Sequence, residues 1–327
     1  RTPCIGWACR GCGWSIRSMA RAIICAGGVA AGCSGVEARG DISARFYRRA
    51  YPRLRLLGAR VALAQRAKRD DTAHRILEPM AVAVVLVHGI RTSATMWRAQ
   101  VAHLEQRGVD AVALDLPGHG TRRGEPFTLD EAFRTIDDAV RSAADTGPVL
   151  LVGHSLGGLL TTQYAGAVVA PPIAAYIGAS CTALPRGIPL VAYRAAVGTF
   201  NSLPGHGEWL GERVLDRTLP SETRWDFGAG GYAFESQDTA LRALGALDLM
   251  AAVSRIRVPT WFVNGQWDQL RVSEKLFQTL LPDAELIVVP HTTHLVTAMA
   301  PRVFNAVLDL ALATIDSTAV DETDAAA

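Results

Sequence analysis

Beyond position 33 this 327-residue chain holds one cysteine, Cys181, while Cys4, Cys9, Cys12, Cys25 and Cys33 crowd into its start. The body therefore cannot be stapled by disulfides, and its stability has to come from a packed core. Cys9 and Cys12 have the spacing of half a zinc site, but no histidine precedes His74, and a structural zinc site needs four ligands. No metal or other cofactor is expected. No apolar run approaches the roughly 20 residues of a membrane-spanning helix, so stable membrane insertion is not expected either. The stretch from Ala20 to Gly32 is a weak hydrophobic region of signal-peptide type, and the residues before Cys33 make a poor lipoprotein-processing site. The cytoplasm is the expected compartment.

Acidic residues are also scarce at the start. Residues 1–79 hold 15 Lys+Arg and 5 Asp+Glu, whereas residues 80–327 hold 18 and 26, so the two stretches carry +10 and −8. A nucleic-acid binder would present its positive charge on the folded body, and no nucleic-acid partner is expected. A hydrophobic content of 49% with 20% charged residues describes a globular chain that can bury a sizeable core.

Periodic structure begins at Met80, where an Arg-rich irregular stretch gives way to Ala81-Val-Ala-Val-Val-Leu-Val-His88, an apolar run of the kind a strand buried on both faces needs. Three readings stand for residues 1–79: sequence ahead of a natural start at Met80, an arm packing on the body or on a membrane surface, or a targeting segment. From Met80 onward apolar runs at 81–87, 110–115, 148–153, 174–180, 259–264 and 284–289 alternate with helical patterns at 95–106, 129–145, 156–169, 272–281 and 301–314. That alternation predicts an α/β fold: a doubly wound, mostly parallel sheet of about six strands with helices on both faces. The interval from 181 to 258 is too long for one connection and predicts an inserted, mainly helical lid at about 183–256. Its aromatic residues, Trp209, Trp225 and Phe227 among them, are candidates for lid core or for an apolar substrate pocket, and Gly228-Ala-Gly-Gly231 reads as a flexible joint. The domain is bounded at 80–316, and the acidic residues 317–327 read as a disordered tail.

Chemistry concentrates where strands end. After Pro148-Val-Leu-Leu-Val152 comes Gly153-His154-Ser155-Leu156-Gly157-Gly158 and then a helical run. The bare G-x-S-x-G pattern is weak, but strand, sharp turn and helix are the context it requires, and Ser155 is the candidate nucleophile. A serine hydroxyl at neutral pH needs a base to take its proton, and the base needs an acid to hold one tautomer. Asp268 lies just past strand 259–264, with Asp248 as the reserve acid, and His291 and His294 both follow strand 284–289. The following helix aims its N-terminus at developing negative charge, and Leu156 N–H is one expected oxyanion donor.

The order Ser, Asp, His in these contexts resembles the α/β-hydrolase superfamily. In that family the catalytic histidine typically stands seven residues before a proline opening the last helix; His294 and Pro301 have that spacing and His291 does not. The resemblance implies Ser155, Asp268 and His294 as catalytic triad, Ile90 in the His88-Gly89-Ile90 loop as second oxyanion donor beside Leu156, and a structural role for the Asp115-Leu-Pro-Gly-His-Gly120 turn. His88, His119 and His154 are then packing or turn residues, and Arg122 and Arg123 solvated unless one faces an acidic substrate group. The opening strands look like those of plant methylesterases and hydroxynitrile lyases. The lyases carry a lysine beside the histidine and a threonine in the oxyanion loop, where this chain has Leu295 and Gly89. The reading is a carboxylic ester hydrolase acting on a small to medium, apolar small-molecule substrate, with Trp209, Trp225, Phe227 and Leu295 as candidate substrate-binding residues. A lactonase, thioesterase or C–C hydrolase would use the same parts; a non-catalytic small-ligand binder is the alternative of another class.

Overall fold

A computed structural model describes the chain from residue 81 to residue 326, with side chains to Thr318. The chain divides at Leu77–Glu78 into two units, and the expectations for residues 1–79, the Cys9/Cys12 pair included, lie outside the described residues. In the described unit six parallel strands form one sheet in the order β2-β1-β3-β4-β5-β6. They are β1 (Ala83–Val87), β2 (Asp110–Leu114), β3 (Val149–His154), β4 (Ala175–Ala179), β5 (Thr260–Gly265) and β6 (Glu285–Val289).

Composition follows position. The four inner strands are buried at every residue, as strands covered on both faces must be, whereas edge strands β2 and β6 expose Asp110, Val112, Glu285 and Val288. Because side chains alternate across a strand, Val85, Val87 and Leu151 enter one core and Val84, Leu86, Leu150 and Val152 the other. The first core is closed by α2 (Leu129–Ala144), α3 (Leu156–Ala165) and α9 (Glu274–Leu280), the second by α1 (Arg98–Glu105), the short α10 (Val296–Met299) and α11 (Pro301–Ala326). Helix α2 shows the logic: Thr128 caps Glu131 N–H, Asp130 and Glu131 complement the first turn, and Ala132, Ile136 and Val140 form one buried stripe. No helix among the described residues is long and apolar enough to cross a membrane.

Five helices lie between β4 and β5: α4 (Gly187–Asn201), α5 (Glu208–Thr218), α6 (Ser221–Gly228), α7 (Gln237–Leu244) and α8 (Leu249–Arg255). They are not one kind of element. Helices α7 and α8, at the end of the interval, bury Ala240, Leu241, Leu244, Leu249 and Val253 in the first core. Helix α6 packs on a 3₁₀ turn, Ala94–Trp97, and on α1. By contrast α4 has no buried residue and α5 buries only Leu215.

One expectation is corrected. The run 228–231 is a clamp and not a joint: a Cβ on Gly230 would lie 2.0 Å from Ser93 Oγ, and Gly230 N–H donates to Thr95 Oγ1 at 3.2 Å. Residues 317–326 continue α11. They contain neither glycine nor proline, and alanine and glutamate are good helix formers.

Candidate active site

The turn after β3 is dictated by crowding. Ser155 sits at φ 52°, ψ −114°, outside the regions open to ordinary residues, so its side chain stands at the head of the strand. The strain is held by Ser155 N–H donating to Ala179 O at 2.9 Å and Gly157 N–H donating to His88 O at 3.0 Å. Only glycine fits at 157, where a Cβ would lie 2.4 Å from Val87 O.

Ser155 Oγ lies 2.7 Å from His294 Nε2, and His294 Nδ1 lies 3.0 and 3.2 Å from the two oxygens of Asp268. The three side chains come from the ends of β3, β5 and β6, 139 and 26 residues apart in sequence. Asp268 has a fully buried carboxylate. Burial pushes its pKa up, but hydrogen bonds and charge from His294 and the hydrogen bond from the Leu270 N–H outweigh it, leaving the carboxyl below its ordinary value. An ionised Asp268 accepts from His294 Nδ1–H, which leaves Nε2 as the acceptor for the Ser155 hydroxyl proton. Asp248 and His291 are not brought here: Asp248 is exposed and caps α8, and His291 is an exposed turn residue edge-on to Trp267.

Three further histidines are fixed as neutral supports. Leu116 N–H donates to His88 Nε2 at 3.0 Å, so His88 Nδ1–H donates to Gly89 O at 2.7 Å. His154 Nε2–H donates to the backbone oxygen of His294 at 2.9 Å, tying the serine turn to the histidine loop. His119 donates to Pro117 O at 2.9 Å. Burial lowers all three, His88 and His154 to about 3. Asp115 accepts from Ala94 N–H, Thr121 N–H and the Thr121 hydroxyl at 2.8 Å each, pinning the 88–97 loop to the 115–121 turn.

Leu156 opens α3, so its N–H has no acceptor within the helix, and Ile90 lies half-buried in the loop after β1. A cavity of about 420 Å³ begins at Ile90, Arg91 and Thr92 and is closed by α5 with Phe200, Phe227 and Tyr232. Ser155 and His294 are not on its wall; Gly89, next to Ile90 in sequence, approaches Ser155, a Cβ there reaching within 3.3 Å of Ser155 Cβ. Of the candidate substrate residues only Phe227 lines this space. Trp225 is 82% exposed because Thr223 and Phe227, one turn apart, take the inward face of α6 and leave it pointing outward. Trp209, in the first turn of α5, is also exposed, and Leu295, beside His294, packs on the second core. Arg122 is taken by Glu125 and Glu131, and Arg123 donates to Tyr232 O. Two residues at the site carried no motif: Ser180, held at φ 51° beside Asp268, and Arg91, held at φ 67°. Among the described residues no group of three His, Cys, Asp or Glu side chains has a metal-holding arrangement.

Comparison with known proteins places this geometry. Esterase PIR7B of rice (Oryza sativa subsp. japonica) is 43% identical over 79 residues, which cover 23% of this chain and 30% of that protein. The chain thus matches 30% of the length of the rice relatives. The (E)-2-((N-methylformamido)methylene)succinate hydrolase of Acinetobacter baylyi is 25% identical over 254 residues, 72% of this chain and 92% of that one. Among solved structures, an esterase from Thermogutta terrifontis superposes with a TM-score of 0.58 at 20% identity, covering 72% of this chain and 90% of that chain, a likeness of fold. The alpha/beta hydrolase family profile matches residues 84–307, from the second residue of β1 into α11, and the chain belongs to the alpha/beta hydrolase family.

Proposed function

We propose that this protein is a serine hydrolase cleaving a carboxylic ester of a small to medium-sized, largely apolar molecule through an acyl-enzyme on Ser155. The observation that carries the reading is the hydrogen-bonded series from Ser155 Oγ through His294, 2.7 Å on one side and 3.0 Å on the other, to a buried Asp268. The esterase names of the rice and Thermogutta relatives support an ester as the bond attacked.

The steps follow from the donors and acceptors. Ser155 Oγ attacks the ester carbonyl while His294 Nε2 takes its proton, and Asp268 stays ionised and stabilises the imidazolium. The tetrahedral oxygen is met by the N–H groups of Leu156 and Ile90, preorganised donors that need no reordering as charge develops. Collapse expels the alcohol, which leaves with the proton returned by His294. Water then attacks the acyl-enzyme by the same relay, releasing the acid and restoring Ser155. Helices α4 and α5, with little buried surface of their own, act as the lid.

A purely ligand-binding protein has no use for a serine held in a strained turn against a histidine base. A fluorophosphonate probe separates the two roles, since it reacts only with an activated serine. Wild-type protein is expected to be labelled and Ser155→Ala not, with turnover of p-nitrophenyl esters falling roughly 10⁴- to 10⁶-fold. A Ser155→Ala protein that keeps wild-type turnover would end this reading.

A further inference from the structure

Arg91 stands one residue beyond Ile90 and, among the described residues, is the arginine whose guanidinium lies over aromatic rings. It is held in a left-handed conformation, φ 67°, with Ala233 N–H donating to its carbonyl at 3.0 Å. Its guanidinium lies over the ring of Phe234, 4.3 Å from the centroid, and 5.9 Å from that of Phe200. Arg122 is ion-paired with Glu125 and Glu131, Arg224 with Glu212 and Asp216, and Arg98 with Asp226. Among the described residues Arg91 has no such carboxylate. Glu208 shares the cavity wall and acts on Arg91 through space without forming an ion pair. Burial lowers the pKa of Arg91, the mark of a cation that has given up water without gaining a full counter-charge.

The cavity of about 420 Å³ that Arg91 lines is otherwise walled largely by Ile90, Phe200, Leu210, Val214 and Phe227. It suits an apolar body of modest size, with one fixed donor fork. The site itself is near: Gly89, two residues before Arg91, approaches Ser155, and two residues of chain span at most about 7 Å. Glu208 and Glu212 on the same wall oppose any anion, a doubly charged phosphate more strongly than a singly charged carboxylate, and Glu212 is already paired with Arg224.

We propose that Arg91 binds a carboxylate carried by the substrate, so that the ester presented to Ser155 belongs to a molecule with a free acid group a short chain away from the scissile carbonyl. The inference deepens the ester-hydrolase reading and rests on it for the reaction. The guanidinium fork matches a carboxylate in two parallel hydrogen bonds, and the rings beneath it hold the fork in place. Binding then selects half-esters of dicarboxylic acids over neutral esters of the same length.

The test compares kcat/KM for monoethyl succinate, glutarate and adipate with that for ethyl butyrate and ethyl hexanoate, followed by acid release in a pH-stat. Wild-type protein is expected to favour the best half-ester roughly tenfold or more, and Arg91→Gln to lower that ratio roughly 10- to 100-fold. Arg91→Lys keeps the charge but not the fork, and is expected to lower the ratio by about threefold to tenfold. Calorimetric binding of monoethyl adipate to Ser155→Ala, with and without Arg91→Gln, gives a readout independent of turnover, and at least tenfold weaker binding is expected in the double variant. A ratio that stays at the wild-type value in both Arg91 variants overturns the proposal, as does binding that ignores Arg91. Arg91-dependent binding with no turnover of any ester would uphold the carboxylate site and defeat the ester-hydrolase reading.

Discussion

At the scale of single residues, the buried imidazoles set how the protein answers acid. His88 and His154 are fixed in one tautomer by their partners, and burial holds both near a pKa of about 3, against an ordinary 6.5. In the unfolded chain the same rings take up protons near 6.5. Above that pH neither state is protonated at these sites and they leave stability unchanged. As pH falls from 6.5 toward 3 only the unfolded state gains protons, so stability is lost at about 1.4 kcal/mol per pH unit for each ring. Between pH 7 and pH 5 that is about 2 kcal/mol apiece, a large share of the roughly 5–15 kcal/mol a domain has. His154→Gln, whose amide can donate to the His294 carbonyl, removes one of the two titrations. Denaturant midpoints measured from pH 7 to pH 4 are expected to fall less steeply in the variant, by about one ring's worth. Parallel slopes in the two proteins would show that His154 is not the neutral, buried group described.

At the scale of elements, what could be read in advance depended on how strongly burial constrains composition. Strands β1 and β3 are buried on both faces and admit little but Val, Leu and Ala, so Ala83–Val87 and Val149–Val152 announce themselves. Ser155 and Asp268 were expected because they follow such strands, β3 and β5, whereas β6 is an edge strand and His294 was preferred to His291 on the family's spacing to Pro301. Arg91 was not, since nothing in the residue type marks a left-handed arginine. Trp209 and Trp225 both stand exposed, and for Trp225 the cause is the phase of a short helix, since Phe227 takes the inward face of α6. The glycine run 228–231 misled for the opposite reason, because flexibility and close approach both select glycine, and only packing tells them apart. That difference is testable. A Cβ at Gly230 would strike Ser93, whose Cβ lies 2.7 Å away and cannot swing aside, so Gly230→Ala should force α6 off the Ala94–Trp97 turn at a cost of about 1–3 kcal/mol. Gly198, within α4, has open space around it, and Gly198→Ala should stabilise by up to about 1 kcal/mol. Thermal melts of the two variants should move in opposite directions; a Gly230→Ala protein with unchanged Tm would remove the clamp.

At the scale of the whole molecule, the sheet is open, and among the described residues both of its faces are covered. One face is covered by α2, α3, α7, α8 and α9 and the other by α1 and α11, and among the described residues the cores run from Val82 to Ile315. The family match from 84 to 307 and the division at Leu77–Glu78 fall on the same boundary. Charge draws it again, with +10 before residue 80 and −8 after it. A layered α/β core needs both faces covered and its inner strands paired, and these residues meet both demands. A chain beginning at Glu78 should therefore fold cooperatively, with a Tm within a few degrees of the full chain, and its serine should react with fluorophosphonate at the same rate. The net charge of the shortened chain changes sign, so any partner drawn by the basic stretch should be lost while Ser155 stays reactive. If the shortened chain folds but Ser155 no longer labels, residues 1–77 help to build the site, and the boundary drawn by the core is not the boundary of function.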